Sequence, residues 1–155
     1  MTWRALSPRA VPSPHREHGR GLLEPDHFAE SCLAQGFYVD VARAQDAETR
    51  RGQFNVIDAA TGWKADLIVQ KARPFSVMEF SRRQPAHLLG MEVFVASPED
   101  VVLSKLEWAL RGGSERQLED AAAVLGVQGD RLDAAYIEHW AERLGVGELW
   151  RRMRP

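Results

Sequence analysis

Asp66 stands in the middle of Trp63-Lys64-Ala65-Asp66-Leu67-Ile68-Val69-Gln70, a run rich in strand-forming residues. Strand side chains alternate, which sends Trp63, Ala65, Leu67 and Val69 to one face and Lys64, Asp66, Ile68 and Gln70 to the other. A carboxylate at the centre of a strand competes for the backbone and resists burial, so something must compensate it. Either Asp66 and Lys64 form a solvated pair on the open face of a half-exposed sheet, or Asp66 projects into a cleft and binds a metal ion. A second charge is Lys105, whose neighbours one helical turn away are Val101, Val102, Trp108 and Ala109, all apolar. An ammonium centred on such a stripe either snorkels outward along Trp108 or holds a negative partner, and a phosphate is one such partner. A third feature is the spacing of Arg116 and Asp120, four apart on one helical face. They read either as a surface ion pair or as part of a binding pocket, with Asp120 beside Val124 and off the apolar stripe of Leu118, Ala121, Ala122 and Leu125.

The elements that must carry these residues are legible from periodicity and turn chemistry. Phe54-Asn55-Val56-Ile57-Asp58-Ala59 and the run beginning at Trp63 flank Ala60-Thr61-Gly62, the pattern of two antiparallel strands joined by a tight connection. Before them, residues 26–35 carry Phe28, Cys32 and Leu33 at helical spacing with Gly36 as a stop, Phe37 to Asp40 reads as a short strand, and Val41 to Arg51 as a more polar helix. After them come a short helical stretch from Phe75 to Arg83, ending in the basic pair Arg82 and Arg83, and a second hairpin formed by His87 to Leu89 and Glu92 to Ala96 around Gly90. Ser97-Pro98 with Asp100 opens a helix that Gly112-Gly113 closes, and Ser114 with Gln117 opens the next by the same capping logic. Asp130 and Asp133 begin a third helix, with Leu132, Tyr136, Trp140 and Leu144, that stops at Gly145, and a last short one holds Leu149, Trp150 and Met153. The expected architecture is α+β, a small sheet followed by a helical bundle. Its parts are an irregular basic arm over 1–22, an α/β core over 23–96, and a helical part over 97–155.

Composition narrows the classes. At 155 residues the chain suits one domain with a real core, and 45% hydrophobic with 27% charged residues fits a globular protein. A single cysteine, Cys32, excludes an internal disulfide and a multi-cysteine metal site, so a reducing, cytoplasmic setting is expected. No apolar run reaches membrane-spanning length, and none at the start resembles a secretion signal. A net charge of −2 excludes a dedicated DNA-coating protein while leaving room for a local basic groove. The arm, with Pro8, Pro12, Pro14 and several arginines, shows no apolar period, and its His15 and His18 lack a partner cluster for metal binding.

Taken in order, Phe54-Asn55-Val56-Ile57-Asp58, Thr61-Gly62-Trp63-Lys64-Ala65-Asp66, Ala96-Ser97-Pro98-Glu99-Asp100 leading to Lys105, and Ser114-Glu115-Arg116-Gln117 with Asp120 resemble the nucleotidyltransferase-like proteins related to the AbiEii toxins, within the DNA polymerase β-like superfamily. The resemblance spans roughly Pro25 to Met153. It implies a small mixed or antiparallel nucleotidyltransferase-like sheet, with Asp66 as a Mg2+-binding carboxylate and general base, and with Lys64, Lys105, Arg116 and Asp120 around a nucleoside triphosphate. It further implies transfer of a nucleoside monophosphate to a hydroxyl of RNA (a tRNA end included) or protein, and an antitoxin partner. Such transfer requires several carboxylates to clamp two cations. The family's Gly-Ser turn followed by an Asp-x-Asp pair is missing here. Gly113-Ser114 opens a late helix, Asp46-Ala47-Glu48 sits in a polar helical segment without a preceding glycine turn, and Pro25 between Glu24 and Asp26 suits a helix start. The arm stands where the first catalytic strand and helix belong, as a shifted frame or start would produce. Two functions therefore stand side by side, a metal-dependent nucleotidyltransferase and a catalytically silent binding module of the same fold. A lost first strand would also bare a sheet edge, and self-association through it is expected.

Overall fold

A computed structural model describes residues 25–154, with side chains from residue 27 onward. The arm, its histidines and Glu24 lie outside the described residues. The chain divides into two compact units, whose described parts are 25–71 and 72–154. The division falls at Lys71/Ala72, and the second hairpin groups with the C-terminal helices.

In the first unit the order is α1 (Pro25–Ala34), β1 (Phe37–Val39), α2 (Val41–Arg50), β2 (Gln53–Asp58) and β3 (Lys64–Ile68). The strands form an antiparallel sheet in sequence order. Its register sets Val39 against Val56, Val56 against Ala65 and Asn55 against Asp66. The expected alternation follows. Val39, Phe54 and Val56 pack with Ala29, Cys32 and Ala44 of the helices, while Tyr38, Lys64, Asp66 and Ile68 are exposed on the other face. The turn between β2 and β3 is tied by Asp58, whose carboxylate accepts from the Thr61 hydroxyl at 2.8 Å and the Ala60 N–H at 2.9 Å. Asp40 caps α2 by accepting from the Arg43 N–H.

The second unit runs α3 (Pro74–Ser81), β4 (Gln84–Leu88), β5 (Met91–Val95), α4 (Pro98–Gly112), α5 (Glu115–Gln128), a 3-10 turn at Gly129–Arg131, α6 (Ala134–Leu144) and α7 (Gly147–Met153). The β4–β5 strands are longer than expected on the β4 side because Leu89 and Gly90 both take positive φ, 51° and 80°, and make the tight two-residue turn alone. Ser97 caps α4 as read, accepting from the Asp100 N–H, and Gly113 in the left-handed region ends it. Ser114 precedes α5 without a side-chain cap; its backbone carbonyl takes the Gln117 N–H instead. Asp130 belongs to the 3-10 turn, and Asp133 alone caps α6, through the Tyr136 N–H. The core joins Phe75 of α3 to Val102, Leu103 and Leu106 of α4, Ala121 of α5, Ile137, Trp140 and Ala141 of α6, and Trp150 of α7. The protein is thus a mixture of helices and small antiparallel sheets, and no helix among the described residues is long and apolar enough to cross a membrane.

Candidate functional site

In the first unit Asp66 is half exposed, which removes the premise that its carboxylate is buried. The Asn55 amide, directly opposite in the register, donates to one of its oxygens, and the Lys64 ammonium lies 3.5 Å from that same oxygen. The arrangement is a cross-strand polar cluster on the open face of the sheet, with the carboxylate's charge already compensated. A divalent cation prefers several hard oxygens without a competing ammonium. Lys64 lies beside the Asp66 carboxylate, and no group of three His, Cys, Asp or Glu gathers among the described residues. Asp46, at the position imitating an Asp-x-Asp pair, is engaged with Arg50 at 2.7 Å along α2. The described residues alone do not supply a two-metal clamp for Mg2+.

The sheet's other face carries a largely apolar cavity of about 520 Å³ lined by Phe28, Cys32, Phe37, Val56, Trp63 and Leu67, among others. Burial pushes the Cys32 thiol pKa up.

Lys105, Arg116 and Asp120 all belong to the second unit. The buried face of α4 is Val102, Leu103, Leu106 and Ala109, so Lys105 sits at the margin of the stripe and Trp108 is exposed. Lys105 Nζ reaches the Asp120 carboxylate of α5 at 2.7 Å, with both side chains partly exposed. The negative partner foreseen for Lys105 is therefore supplied by the chain itself. The Lys105 hydrogen bond, aided by the charges of Lys105 and Arg116, lowers the Asp120 pKa. Arg116 is exposed one turn before Asp120 and contributes its field, while the hydrogen bond to Asp120 comes from Lys105. The result is a half-exposed cluster of two cations and one carboxylate at the α4–α5 junction. Such a cluster can accept a phosphate in exchange for the carboxylate.

A more buried charged group went unread in the sequence. Asp100, fully buried, accepts from the Ser97 hydroxyl at 2.7 Å, the Tyr136 hydroxyl at 2.6 Å and Arg82 Nε at 3.3 Å. Arg82 also bonds Glu99 at 3.0 Å and stacks on the Tyr136 ring, 3.9 Å from its centroid. Burial, and then the bond to Asp100, push the Tyr136 pKa up. Beside this group Arg73 forks onto both oxygens of Glu107, which Arg111 also meets at 2.6 Å. Glu79 accepts from the Ser104 hydroxyl at 2.9 Å, and burial pushes its pKa up. These groups lock α3, α4 and α6 together with their polar atoms mutually engaged, the pattern of structural rather than reactive charge. The sequence held one signal for them. The Ser97–Asp100 cap was legible, but its link to the basic Arg82 needed tertiary information.

Comparison with protein-family models, with curated proteins and with solved structures finds no match.

Proposed function

We propose that this protein is a nucleotidyltransferase-related binding module that takes a nucleotide through its phosphates without turning it over. The observation that supports this reading is the α4–α5 cluster, in which Lys105 bonds one half-exposed carboxylate, Asp120, and Arg116 adds its charge from one turn earlier on α5. A triphosphate brings more negative charge than Asp120 and displaces it from Lys105, while Arg116 adds a planar, fork-shaped donor. Lys64 and Asp66, in the other unit, are engaged with each other and with Asn55, which speaks for a polar face rather than a metal-held reaction centre. The transfer reading needs further carboxylates beside Asp66.

Isothermal titration of the chain with each ribonucleoside triphosphate, with and without added Mg2+, tests the proposal. The module reading expects binding heat under both conditions, weakened about tenfold or more by Lys105→Ala, and no incorporation of labelled nucleotide into RNA or protein. Heat that vanishes with a chelator, together with labelled product lost in Asp66→Ala, would establish the transferase. No heat under either condition would end both readings.

A further inference from the structure

We infer that the outer edge of β5 is a self-pairing surface, on which a second copy of this chain adds its own β5 in antiparallel register about Val93. The β4–β5 ribbon is two-stranded, and its turn closes on the pair Leu88 and Met91. Counting the antiparallel alternation from that closing pair makes Ala86–Val93 and Gln84–Val95 the hydrogen-bonded pairs, and His87–Glu92 and Pro85–Phe94 the pairs that do not exchange bonds. The backbone N–H and C=O groups of Glu92 and Phe94 therefore point away from β4. The outer edge of β4 is blocked at Pro85, which has no N–H, while β5 carries neither proline nor lysine to protect its edge.

Side chains select the second copy and the register. Pairing about Val93 sets Glu92 opposite the second copy's Phe94, so that these two residues exchange both backbone bonds, twice by symmetry. It also sets Met91 opposite Val95, two exposed apolar residues against each other. Pairing about Glu92 would instead oppose two carboxylates. The charges match across the same register. Arg83 lies over the Phe80 ring and 5.5 Å from the centroid of Phe94, donates from Nε to the Phe80 carbonyl at 2.7 Å, and has no carboxylate within ion-pair distance among the described residues. Glu92 is exposed, with the His87 imidazole 3.9 Å away. Setting Glu92 beside the second copy's Phe94 brings it to the Arg83 that packs on that ring, and gives Arg83 a carboxylate where the described residues offer it none. Phe94, 62% exposed, loses much of that exposure in the pairing.

Sedimentation equilibrium of the full chain tests this. The expected result is a concentration-dependent dimer with a dissociation constant on the order of tens of micromolar, as suits a small interface. Phe94→Pro removes an outward donor from a pair that does not bond to β4 and abolishes the dimer. Because that variant risks the hairpin itself, the charge reversals Glu92→Arg and Arg83→Glu provide the second arm. Each alone weakens association tenfold or more, and the double swap restores it to within about threefold. A monomer at every concentration would leave the edge to a foreign strand and overturn self-pairing. A dimer indifferent to all of these variants would place the interface elsewhere and overturn it equally.

Discussion

Asp100 receives three side-chain donors, and the consequences of removing any one differ by what is left behind. Tyr136→Phe deletes a hydroxyl and leaves the carboxylate with Ser97 and Arg82, which should lower stability by about 1–2 kcal/mol in urea unfolding. Arg82→Met removes the cation from a fully buried carboxylate and should cost about 3 kcal/mol or more, since an uncompensated buried charge is left behind. Two glutamates in this unit give opposite pH signatures. Burial raises the Glu79 pKa above its ordinary 4.5, so the native state favours its protonated form, and the associated stability, full below 4.5, is lost as pH rises through the raised value. Glu99 runs the other way. Burial raises it, but the N–H groups of Glu99 itself and Asp133, the Ser97 hydroxyl and Arg82 outweigh that and lower its pKa, so its contribution is present above 4.5 and lost as pH falls through the lowered value. Glu79→Gln keeps an acceptor for Ser104 and removes the charge. It should therefore stabilise the protein more at about pH 7 than at about pH 4 when chemical denaturation is compared at the two conditions.

At the scale of elements, the turns carry the sharpest expectations. Leu89 is 88% exposed at the hairpin tip and holds φ of 51°, a conformation that an apolar L-residue adopts at a cost of about 1–2 kcal/mol. Leu89→Asn places a residue suited to that turn and should raise the melting temperature, with a gain of about 0.5–1 kcal/mol. Gly145 ends α6 with φ of 74° while its N–H closes the helix, and Gly145→Ala should lose about 1 kcal/mol by the same measurement. These caps also explain what was legible beforehand. Gly36, Ser97, Asp133 and Gly145 are local signals, each engaged with backbone within a few residues, and the helices they bound came out within a residue or two of expectation. The strand alternation around Asp66 was local in the same sense. What was not legible depended on which neighbour a side chain meets. Lys105 sits among apolar residues in sequence, yet the helix turns its buried face to Val102, Leu103 and Leu106 and hands Lys105 to Asp120 on the next helix. Spacing suggested that Asp120 pairs along its own helix with Arg116; the hydrogen bond it forms runs between helices. Arg82, Asp100 and Tyr136 are separated by 18 and 36 residues along the chain, and no periodicity links them.

For the molecule as a whole, the residues to which the family resemblance assigns roles come from both units. Lys64 and Asp66 lie in the unit of 25–71, and Lys105, Arg116 and Asp120 in that of 72–154. Among the described residues the second unit has the larger core and the buried ionic network, so by hydrogen exchange its helices should be protected after those of 25–71 have opened. The proposed function rests on that second unit, where a phosphate must compete with Asp120 for Lys105. Asp120→Asn sets that competition directly, because it removes the internal rival while preserving the side chain's shape. Titration of Asp120→Asn and of the native chain with the same triphosphate, without Mg2+, should show tighter binding by the variant, several-fold or more, with Lys105→Ala abolishing the gain. Equal or weaker binding by Asp120→Asn would contradict the account, since the carboxylate would then be no stand-in for a phosphate.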